Sequence, residues 1–229
     1  MLAIIPARRG SKEIKGKNIK IFNGKPLIAW TIEVLQKSKK IDHIIISTDD
    51  EKVVNICKNY NIFIPALRPK RLCKDNSLAI DVYKYCIKEY IKSTKKSINN
   101  FLVALPTSPL RTIKDINNSI KIFEESKPDS LISCTKNNTP VEWLLKINKG
   151  NKIKKIFNEI NKKNNYNRQG TVESYIPNGS IYIFNYQKLL KNKSFYSNNT
   201  SAYIMPEERS VDIDNINDFK YAEFLHKPL

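Results

Sequence analysis

A basic segment near the start of the chain has residue types that commonly hold phosphate groups. Residues 6–18 contain five cations within ten positions, namely Arg8, Arg9, Lys12, Lys15 and Lys17. Gly10 and Gly16 allow the backbone to bend close to a ligand, and converging cations with free backbone N–H groups bind anions well. The glycine spacing fits neither a P-loop nor a dinucleotide-binding Gly-x-Gly-x-x-Gly segment. The segment therefore predicts an anion-binding loop, with a solvated basic loop as the alternative.

Two carboxylates separated by one residue lie near the other end of the chain, in the sequence Ser-Val-Asp-Ile-Asp at 210–214. Because alternate residues of an extended segment point the same way, Asp212 and Asp214 are predicted to face one side. Mg²⁺ typically takes one or two carboxylates together with phosphate oxygens of a substrate. The pair is therefore a candidate magnesium site, although acidic residues at this spacing also occur on ordinary strand edges.

Two further segments offer hydrogen-bond donors to a ligand. Residues 105–111 read Leu-Pro-Thr-Ser-Pro-Leu-Arg. Their two prolines stiffen the backbone, and Thr107, Ser108 and Arg111 supply hydroxyl and guanidinium donors. The segment 166–169, Tyr-Asn-Arg-Gln, supplies another arginine. Both segments are candidate walls of a substrate pocket, although proline-rich turns are often structural.

The elements that must position these residues alternate between strands and helices. Near-continuous apolar runs, typical of strands buried on both faces, occur at 2–6, 43–48, 101–105 and 130–134. Between them, apolar residues recur at helical spacing, as in Ile28, Ile32 and Leu35. This alternation predicts an α/β domain with a mainly parallel sheet flanked by helices. Ligands of such sheets bind beyond the carboxyl ends of the strands, where the segments at 6–18 and 105–111 are expected.

The alternation stops after Thr139. Residues 148–170 are rich in Asn and Lys, and we predict an insertion at about 139–175, either a mobile loop or an arm that packs on a second subunit. Strand character returns at 175–184, and Asn215 can cap a final helix that ends near 225. The length of 229 residues suits one domain over 1–229 with this insertion.

Composition narrows the classes of function. The chain has 40 Lys+Arg against 22 Asp+Glu, a net charge of +18, but the lysines are spread throughout and no aromatic-interleaved basic stripe occurs. A solvated lysine surface is favoured, with a basic nucleic-acid-binding protein as the alternative of a different class. Four widely spaced cysteines and two histidines do not suit a zinc site. No apolar run approaches a membrane span and the N-terminus does not read as a signal peptide, so we expect a cytoplasmic protein without membrane partners.

In their joint order, these segments resemble the CMP-sialic acid synthetases, the acylneuraminate cytidylyltransferases. The resemblance begins with Ile-Ile-Pro-Ala-Arg-x-Gly-Ser-Lys-x-Ile-x-x-Lys-Asn at 4–18 and continues, over nearly the whole chain, through 24–27, 47–49, 67–69, 106–111, 168–169, 178–179 and 212–214. It implies a mononucleotide-binding, Rossmann-like nucleotidyltransferase fold and a homodimer whose inserted arm reaches the partner. The implied reaction joins CMP from CTP to the anomeric hydroxyl of a nonulosonic acid for surface glycan synthesis, with Mg²⁺, and releases pyrophosphate.

The same resemblance implies roles for individual residues. Arg8 and Lys17 would face the CTP phosphates and act in catalysis with Asp214, while Asp212 and Asp214 would bind the metal. The residues implied for the nucleotide are Ala7, Arg8, Asn18, Arg68, Asn76, Ser77 and Ala79. Those implied for the sugar are Leu105, Thr107, Ser108, Arg111, Arg168 and Gln169, with Arg168 meeting the sugar carboxylate. No histidine base is implied, since neither His43 nor His226 falls in a matched motif.

Two positions depart from the family pattern. Ala79 stands where a hydroxyl is frequent, and Leu105 stands where relatives commonly carry Gln. Burying a substrate hydroxyl against leucine without a partner costs about 1–3 kcal/mol. Leu105 therefore predicts a preference for a less hydroxylated, legionaminic-type acid over N-acetylneuraminic acid. Legionaminic acid, pseudaminic acid and Kdo are the alternative substrates; the segment 106–111 argues against the last two, whose synthetases usually lack it.

Overall fold

The computed structural model describes residues 1–11, 13–60, 62–64, 66–157 and 170–226. In chain order, its strands are β1 Leu2–Pro6, β2 Ile21–Phe22, β3 Lys25–Pro26, β4 His43–Ser47, β5 Asn100–Val103, β6 Ser130–Lys136, β7 Leu145–Ile147, β8 Ile153–Lys155, β9 Tyr175–Asn185 and β10 Thr200–Ile204. Its α-helices are α1 Leu27–Gln36, α2 Glu51–Lys58, α3 Ala79–Thr94, α4 Ile113–Ser126, α5 Tyr186–Asn192 and α6 Ile216–Leu225.

Six of the strands form one sheet, in the order β10-β6-β9-β5-β1-β4. β1 pairs in parallel with β4 and β5, and β10 pairs in parallel with β6. β9 is antiparallel to both of its neighbours, β5 and β6. The expected mainly parallel sheet flanked by helices is confirmed, and the one antiparallel strand in its middle is a feature that the apolar pattern did not predict.

The strands are apolar on both faces because helices cover both faces. Successive residues of a strand point to opposite sides: Ala3 and Ile5 of β1 pack in one buried cluster with side chains of α1, α2 and α4. Leu2 and Ile4 pack in a second cluster with side chains of α3 and α5. Full burial of each leucine or isoleucine contributes about 1.5–3 kcal/mol, so β1 is rigidly held. Its carboxyl end is therefore a stable platform for the loop that follows.

The predicted insertion begins with ordered structure rather than with a structureless loop. A 3₁₀ turn at Val141–Trp143 leads into a separate antiparallel hairpin of β7 and β8. Residues 158–169 lie outside the described part of the chain, and these include Arg168 and Gln169. β9 then begins at Tyr175, and α6 begins directly after its cap Asn215, both close to their expected starts.

Besides the short hairpins β2–β3 and β7–β8, two elements were not predicted from the sequence, namely β10 and α5. β10 has only one buried residue among its five, because it lies at the edge of the sheet and has no strong apolar pattern. α5 is a short helix of seven residues. Among the described residues, no helix is long and apolar enough to cross a membrane.

Candidate active site

Two adjoining clefts lie at the carboxyl ends of β1 and β5. The larger has a volume of ≈ 490 Å³, and its walls include Arg8, Ser11, Glu13, Lys17, Asn18, Thr107 and Asp214. The second has a volume of ≈ 360 Å³ and is lined in part by Arg68, Asp75, Ser77 and Ala79. Pro6, Arg8 and Leu105 line both clefts, so the two are parts of one site. This is the edge of the sheet where open α/β folds bind ligands.

Arg8 lies where β1 ends and the basic loop begins. The N–H of Ala7 still donates to the carbonyl of Ser47 at 2.8 Å, so the regular backbone ends immediately before Arg8. One Arg8 guanidinium nitrogen, Nη1, is 2.9 Å from Asp75 Oδ1 and 3.4 Å from the carbonyl of Cys73. The side chains of Arg8 and Asp75 are 37% and 55% exposed. The guanidinium is therefore accessible from the cleft.

Lys17 and Asn18 follow a left-handed Gly16, with φ of 66°, in a short 3₁₀ turn. The Asn18 side chain is buried and donates through Nδ2 to the carbonyl of Arg8 at 3.0 Å, which closes the basic loop on itself. Lys17 Nζ donates to the carbonyl of Ile213 at 2.6 Å and lies 3.5 Å from Asp214 Oδ1. The cationic loop and the acidic segment, almost 200 positions apart in sequence, therefore meet in one cleft.

Asp212 and Asp214 have different surroundings. The Asp214 side chain is 79% exposed. Asp212 is largely buried, and its Oδ1 has no hydrogen-bond partner among the described residues. Burial raises the pKa of Asp212 and the charge of Asp214 raises it further, while a hydrogen bond from Thr107 and the charge of Lys17 act in the opposite direction. A buried carboxylate oxygen without a donor is well suited to a cation.

Gly179 allows the Asp212 carboxylate to take this position. Its φ is +70°, and a Cβ built there would lie 2.6 Å from Asp212 Oδ2. The preceding Asn178 is buried; its Oδ1 accepts from Ser133 Oγ at 2.6 Å. Ser133 lies at an irregularity in the pairing of β6 with β9, between Ile132 and Cys134. The Asn-Gly segment is thus a turn that brings backbone against Asp212, where any side chain would collide with the carboxylate.

Arg68 forms part of the second cleft, with little of its side chain accessible. It is 6% exposed, and it donates through Nε to Ser47 Oγ at 3.0 Å and through Nη2 to the Ser47 carbonyl at 2.6 Å. Burial lowers the pKa of Arg68, and the nearby thiols and Asp49 raise it. Ser77 and Ala79 also line this cleft, whereas Asn76 does not. Ala7 is buried in the core and lines neither cleft, so its contact with the nucleotide stays a prediction.

The segment 105–111 divides between the cleft and the interior. Leu105 and Thr107 line the cleft, and the Thr107 carbonyl accepts from the N–H of Ile213 at 2.8 Å. Ser108 and Arg111 are buried, at 0% and 4% exposure. Ser108 Oγ donates to the carbonyl of Asn178 at 3.2 Å.

The sequence-based expectation that Ser108 and Arg111 contact the sugar therefore needs correction. Arg111 donates through Nη2 to the carbonyl of Leu105 at 2.7 Å and through Nε to that of Ser180 at 2.9 Å. Burial lowers the pKa of Arg111 to about 9, which still leaves it charged at neutral pH. Because their donors are used inside the protein, both side chains hold the loop from behind. Arg168, Gln169 and Lys12 lie outside the described residues.

Three aromatic side chains of the second cleft were missed by sequence reasoning. Tyr83 on α3, Tyr182 on β9 and Phe195 after α5 line it together with Val82 and Leu105. Tyr83 and Phe195 stack with ring centroids 6.0 Å apart. Tyr182 could have been suspected because it follows the Asn-Gly turn by three residues, but nothing in the sequence around Phe195 points to the site. One side of the second cleft is therefore largely apolar.

Sequence comparison finds relatives of this chain over nearly its whole length. The sequence model of the family described as Cytidylyltransferase matches residues 2–226. The chain is 33% identical over 223 residues to N-acylneuraminate cytidylyltransferase of Escherichia coli O18:K1:H7, an alignment that covers 97% of this chain and 51% of the relative. It is 33% identical over 230 residues to CMP-N,N'-diacetyllegionaminic acid synthase of Legionella pneumophila, with 98% and 95% covered. The chain thus spans about half the length of the first relative and nearly all of the second.

The fold is similar to that of solved nucleotidyltransferases. A structure of CMP:2-keto-3-deoxy-manno-octonic acid synthetase complexed with CTP matches with a TM-score of 0.69, covering 98% of this chain and 97% of that one. The two sequences are 13% identical, so this match is a similarity of fold.

Proposed function

This chain belongs to the cytidylyltransferase family, and from that premise we propose that it transfers CMP from CTP to the anomeric hydroxyl of a nonulosonic acid. The reaction releases pyrophosphate, takes place in the cytoplasm and supplies a CMP-sugar for surface glycans. The observation that carries the proposal is the meeting of Arg8, Lys17 and Asp214 in one cleft at the end of β1. Cations beside a carboxylate suit a triphosphate and its metal ion.

The acceptor class is supported by the relatives. One is named for N-acylneuraminate and another for N,N'-diacetyllegionaminic acid, both acidic nine-carbon sugars. The apolar side of the second cleft, with Leu105, Tyr182 and Phe195, suits deoxy or acylated positions better than free hydroxyls. Within the proposed class, this observation favours a legionaminic-type acid.

The chemistry requires positioning and stabilisation of charge. The anomeric oxygen bonds to the α-phosphorus, the bond from that phosphorus to the bridging oxygen breaks, and pyrophosphate leaves with the electron pair while the hydroxyl proton passes to water. Negative charge grows on the phosphoryl oxygens, where preorganised donors are most effective. Arg8 and Lys17 are placed to contact those oxygens. Asn18 and Arg111 act indirectly, by holding the two loops that carry cleft residues.

We propose that Asp212 and Asp214 hold Mg²⁺. The unpartnered buried oxygen of Asp212 and the exposed carboxylate of Asp214 fit a hard cation. When bound, Mg²⁺ would neutralise phosphoryl charge and acidify the attacking hydroxyl. Lys17 contacts the same segment through the Ile213 carbonyl, which holds its positive charge in the cleft where the phosphates would bind.

Removal of the metal or of Asp214 tests this assignment. We expect no turnover in excess EDTA, recovery on addition of Mg²⁺, and loss of nearly all activity in Asp214→Ala, which should remain folded by circular dichroism because the side chain is exposed. Asp218→Asn is unsuitable as a control, because the Asp218 carboxylate closes the capping box of α6 and accepts from the N–H of Asp214. Asp81→Asn, at an exposed position, is suitable. Full activity in EDTA would contradict the proposal.

We also propose that the chain forms a homodimer through the insertion. A run of large apolar side chains there is exposed, namely Trp143, Leu144, Leu145, Ile147, Ile153, Ile156 and Phe157. Contiguous exposed apolar surface of this kind commonly marks a protein interface, and a symmetric dimer would bury it on both copies. Ile147→Glu should shift sedimentation toward the monomer, whereas Ile21→Glu, at a similarly exposed isoleucine outside the insertion, should not. A monomeric wild-type protein at micromolar concentration would contradict the dimer.

Pyrophosphate release tests the main proposal. Each of the four common nucleoside triphosphates is combined with a panel of nonulosonic acids and with Kdo. We expect release with CTP only, and only when a nine-carbon acidic sugar is present. Release without an acceptor sugar, or with no preference for CTP, would contradict it.

A further inference from the structure

The segment that carries Asp212 and Asp214 has little regular structure of its own. Between the end of β10 at Ile204 and the start of α6 at Ile216, it contains only the 3₁₀ turn Glu207–Arg209. The backbone is tied at one point between the two carboxylates, where the N–H of Ile213 donates to the Thr107 carbonyl at 2.8 Å and the Ile213 side chain is buried. Between the 3₁₀ turn and that point, side-chain contacts help to hold the segment, and one of these comes from Arg209.

Arg209 makes a two-pronged ion pair with Asp115. Its Nε lies 3.0 Å from Asp115 Oδ2, and its Nη2 lies 3.0 Å from Asp115 Oδ1. Asp115 is completely buried and also accepts from the Tyr203 hydroxyl at 3.0 Å and from the N–H of Thr112 at 2.9 Å. A fork of this kind fixes both distance and orientation, which a single point charge cannot do.

The pair joins the acidic segment to the helix behind the proline loop. Asp115 belongs to the capping box at the start of α4, four residues after Arg111, which in turn holds the Leu105 carbonyl. A second tie lies next to Arg209, where Ser210 Oγ accepts from Asn178 Nδ2 at 2.9 Å. Asn178 precedes Gly179, against which Asp212 packs. The two ties hold the end of the 3₁₀ turn, two to three residues before Asp212.

We infer that Arg209 is a positioning residue: through its fork on Asp115, it sets where Asp212 and Asp214 present their oxygens to a divalent cation. This inference rests on the proposed metal role of that pair. Groups that orient the ligands of a metal commonly account for about 10–100-fold in metal affinity. Neither Arg209 nor Asp115 lines the larger cleft, so their effect is expected to reach the cation only through the segment between them.

The test measures Mn²⁺ binding to the full chain by electron paramagnetic resonance of free Mn²⁺, without nucleotide or sugar. The variants are Arg209→Lys, which keeps the charge and loses the fork, Arg209→Gln, which keeps one donor, and Asp212→Asn, which removes a proposed ligand. Ser38→Ala is the matched structural control. It removes a buried hydrogen bond to Asn117, which lies on α4 like Asp115 but away from the site. The half-saturating Mg²⁺ concentration for turnover is measured in parallel.

We expect Mn²⁺ binding to weaken about tenfold or more in both Arg209 variants, to be lost in Asp212→Asn and to be unchanged in Ser38→Ala. The half-saturating Mg²⁺ concentration should rise by a similar factor, while the KM for CTP at saturating Mg²⁺ changes little. Wild-type Mn²⁺ affinity in the folded Arg209 variants, with binding lost in Asp212→Asn, would overturn the inference and leave the metal pair intact. Wild-type affinity in Asp212→Asn would overturn the metal assignment and the inference together.

Discussion

Arg8 and Lys17 make ion pairs whose acceptors a phosphate group could replace. Arg8 pairs with Asp75 where both side chains are substantially exposed, and Lys17 lies 3.5 Å from the exposed Asp214. Pairs between exposed charges contribute only about 0–1 kcal/mol to stability. Exchange of Asp75 for a multiply charged triphosphate therefore costs little stability, and the exposed Arg8 guanidinium is accessible to a ligand. The Lys17 side chain is only 12% exposed, so a ligand would reach it from within the cleft that it lines.

Substitution of Arg8 is expected to impair the chemical step more than folding. Arg8→Ala should lower kcat/KM for CTP by about 10²–10³-fold, the usual cost of removing one preorganised donor from a developing anion. Steady-state kinetics at saturating acceptor sugar measure this. Lys37→Ala, on an exposed lysine at the end of α1, should be nearly silent. Equal losses in the two variants would mean that net charge, rather than the loop, attracts the nucleotide.

Leu105 is expected to govern the choice of sugar, because it lines both clefts. The wild-type enzyme should prefer a legionaminic-type 5,7-diamino acid to N-acetylneuraminic acid. Leu105→Gln should shift the ratio of the two kcat/KM values toward N-acetylneuraminic acid by about tenfold, equivalent to roughly 1.4 kcal/mol from one satisfied polar group. Competition between the two acids, followed by mass spectrometry of the CMP-sugars, gives this ratio. A wild-type preference of tenfold or more for N-acetylneuraminic acid would refute the interpretation of Leu105.

Among the elements, α4 links the two halves of the site. Its first turn is closed by the Thr112–Asp115 capping box, and its N-terminus holds the proline loop through Arg111 on one side and the acidic segment through Arg209 on the other. Capping residues contribute about 0.5–2 kcal/mol to a helix. Here the same carboxylate serves as both cap and ion-pair partner, so stability and site geometry depend on one residue.

The pH dependence of stability should reveal the charge of Asp115. Burial by itself raises the pKa of this carboxyl, but hydrogen bonds from Arg209 and Thr112 outweigh burial and leave the pKa below its ordinary value of 3.8. A lowered folded pKa stabilises the protein above the unfolded pKa, and this contribution is lost as the pH falls through the folded value. Asp115→Asn should thus cost about 3 kcal/mol of unfolding free energy at pH 7, and the difference from wild type should narrow below pH 3.8.

Urea unfolding of both proteins at pH 7, 5 and 3 measures that difference. Asp81→Asn on α3, which removes an exposed pair with Lys84, is the control and should differ little from wild type at every pH. A cost for Asp115→Asn that is the same at pH 7 and pH 3 would show that the carboxylate charge makes no contribution.

At the scale of the whole molecule, the net charge of +18 is spread over the surface, whereas the candidate site mixes cations with Glu13, Asp75 and Asp214. A site with charges of both signs suits a small anion bound together with a metal ion. It suits the long phosphate backbone of a nucleic acid less well. The excess of lysine is expected to raise the local concentration of any anion without selecting one.

Duplex DNA should therefore be a poor competitor. We expect CTP turnover at about 0.15 M salt to be unaffected by DNA at concentrations that exceed the enzyme, since non-specific binding that depends on counterion release is weak there. Turnover rates with and without DNA over a salt series measure this. Strong inhibition by DNA would instead support the nucleic-acid-binding alternative, if the logarithm of the DNA association constant also falls steeply and linearly with the logarithm of the salt concentration.

The local pattern of the sequence was sufficient to predict most strands of the six-stranded sheet, most of the helices that cover them and the loops at their carboxyl ends. Apolar periodicity is a property of neighbouring residues, so runs such as 2–6 and 43–48 indicate strands buried on both faces before any pairing is known. The basic, anion-binding character of the loop at 6–18 was predicted in the same way, because its positive charges are close together in the sequence.

Only the tertiary structure decided which side chains share the site. The contact of Lys17 with Ile213, the burial of Arg111, and the meeting of Tyr83 with Phe195 all depend on chain segments that are far apart in sequence. The antiparallel insertion of β9 between β5 and β6 places Asn178 and Gly179 beneath Asp212. Such pairings are set by the packing of the whole sheet. The apolar pattern of a strand indicates that the strand is buried, but it does not indicate which neighbouring strand pairs with it.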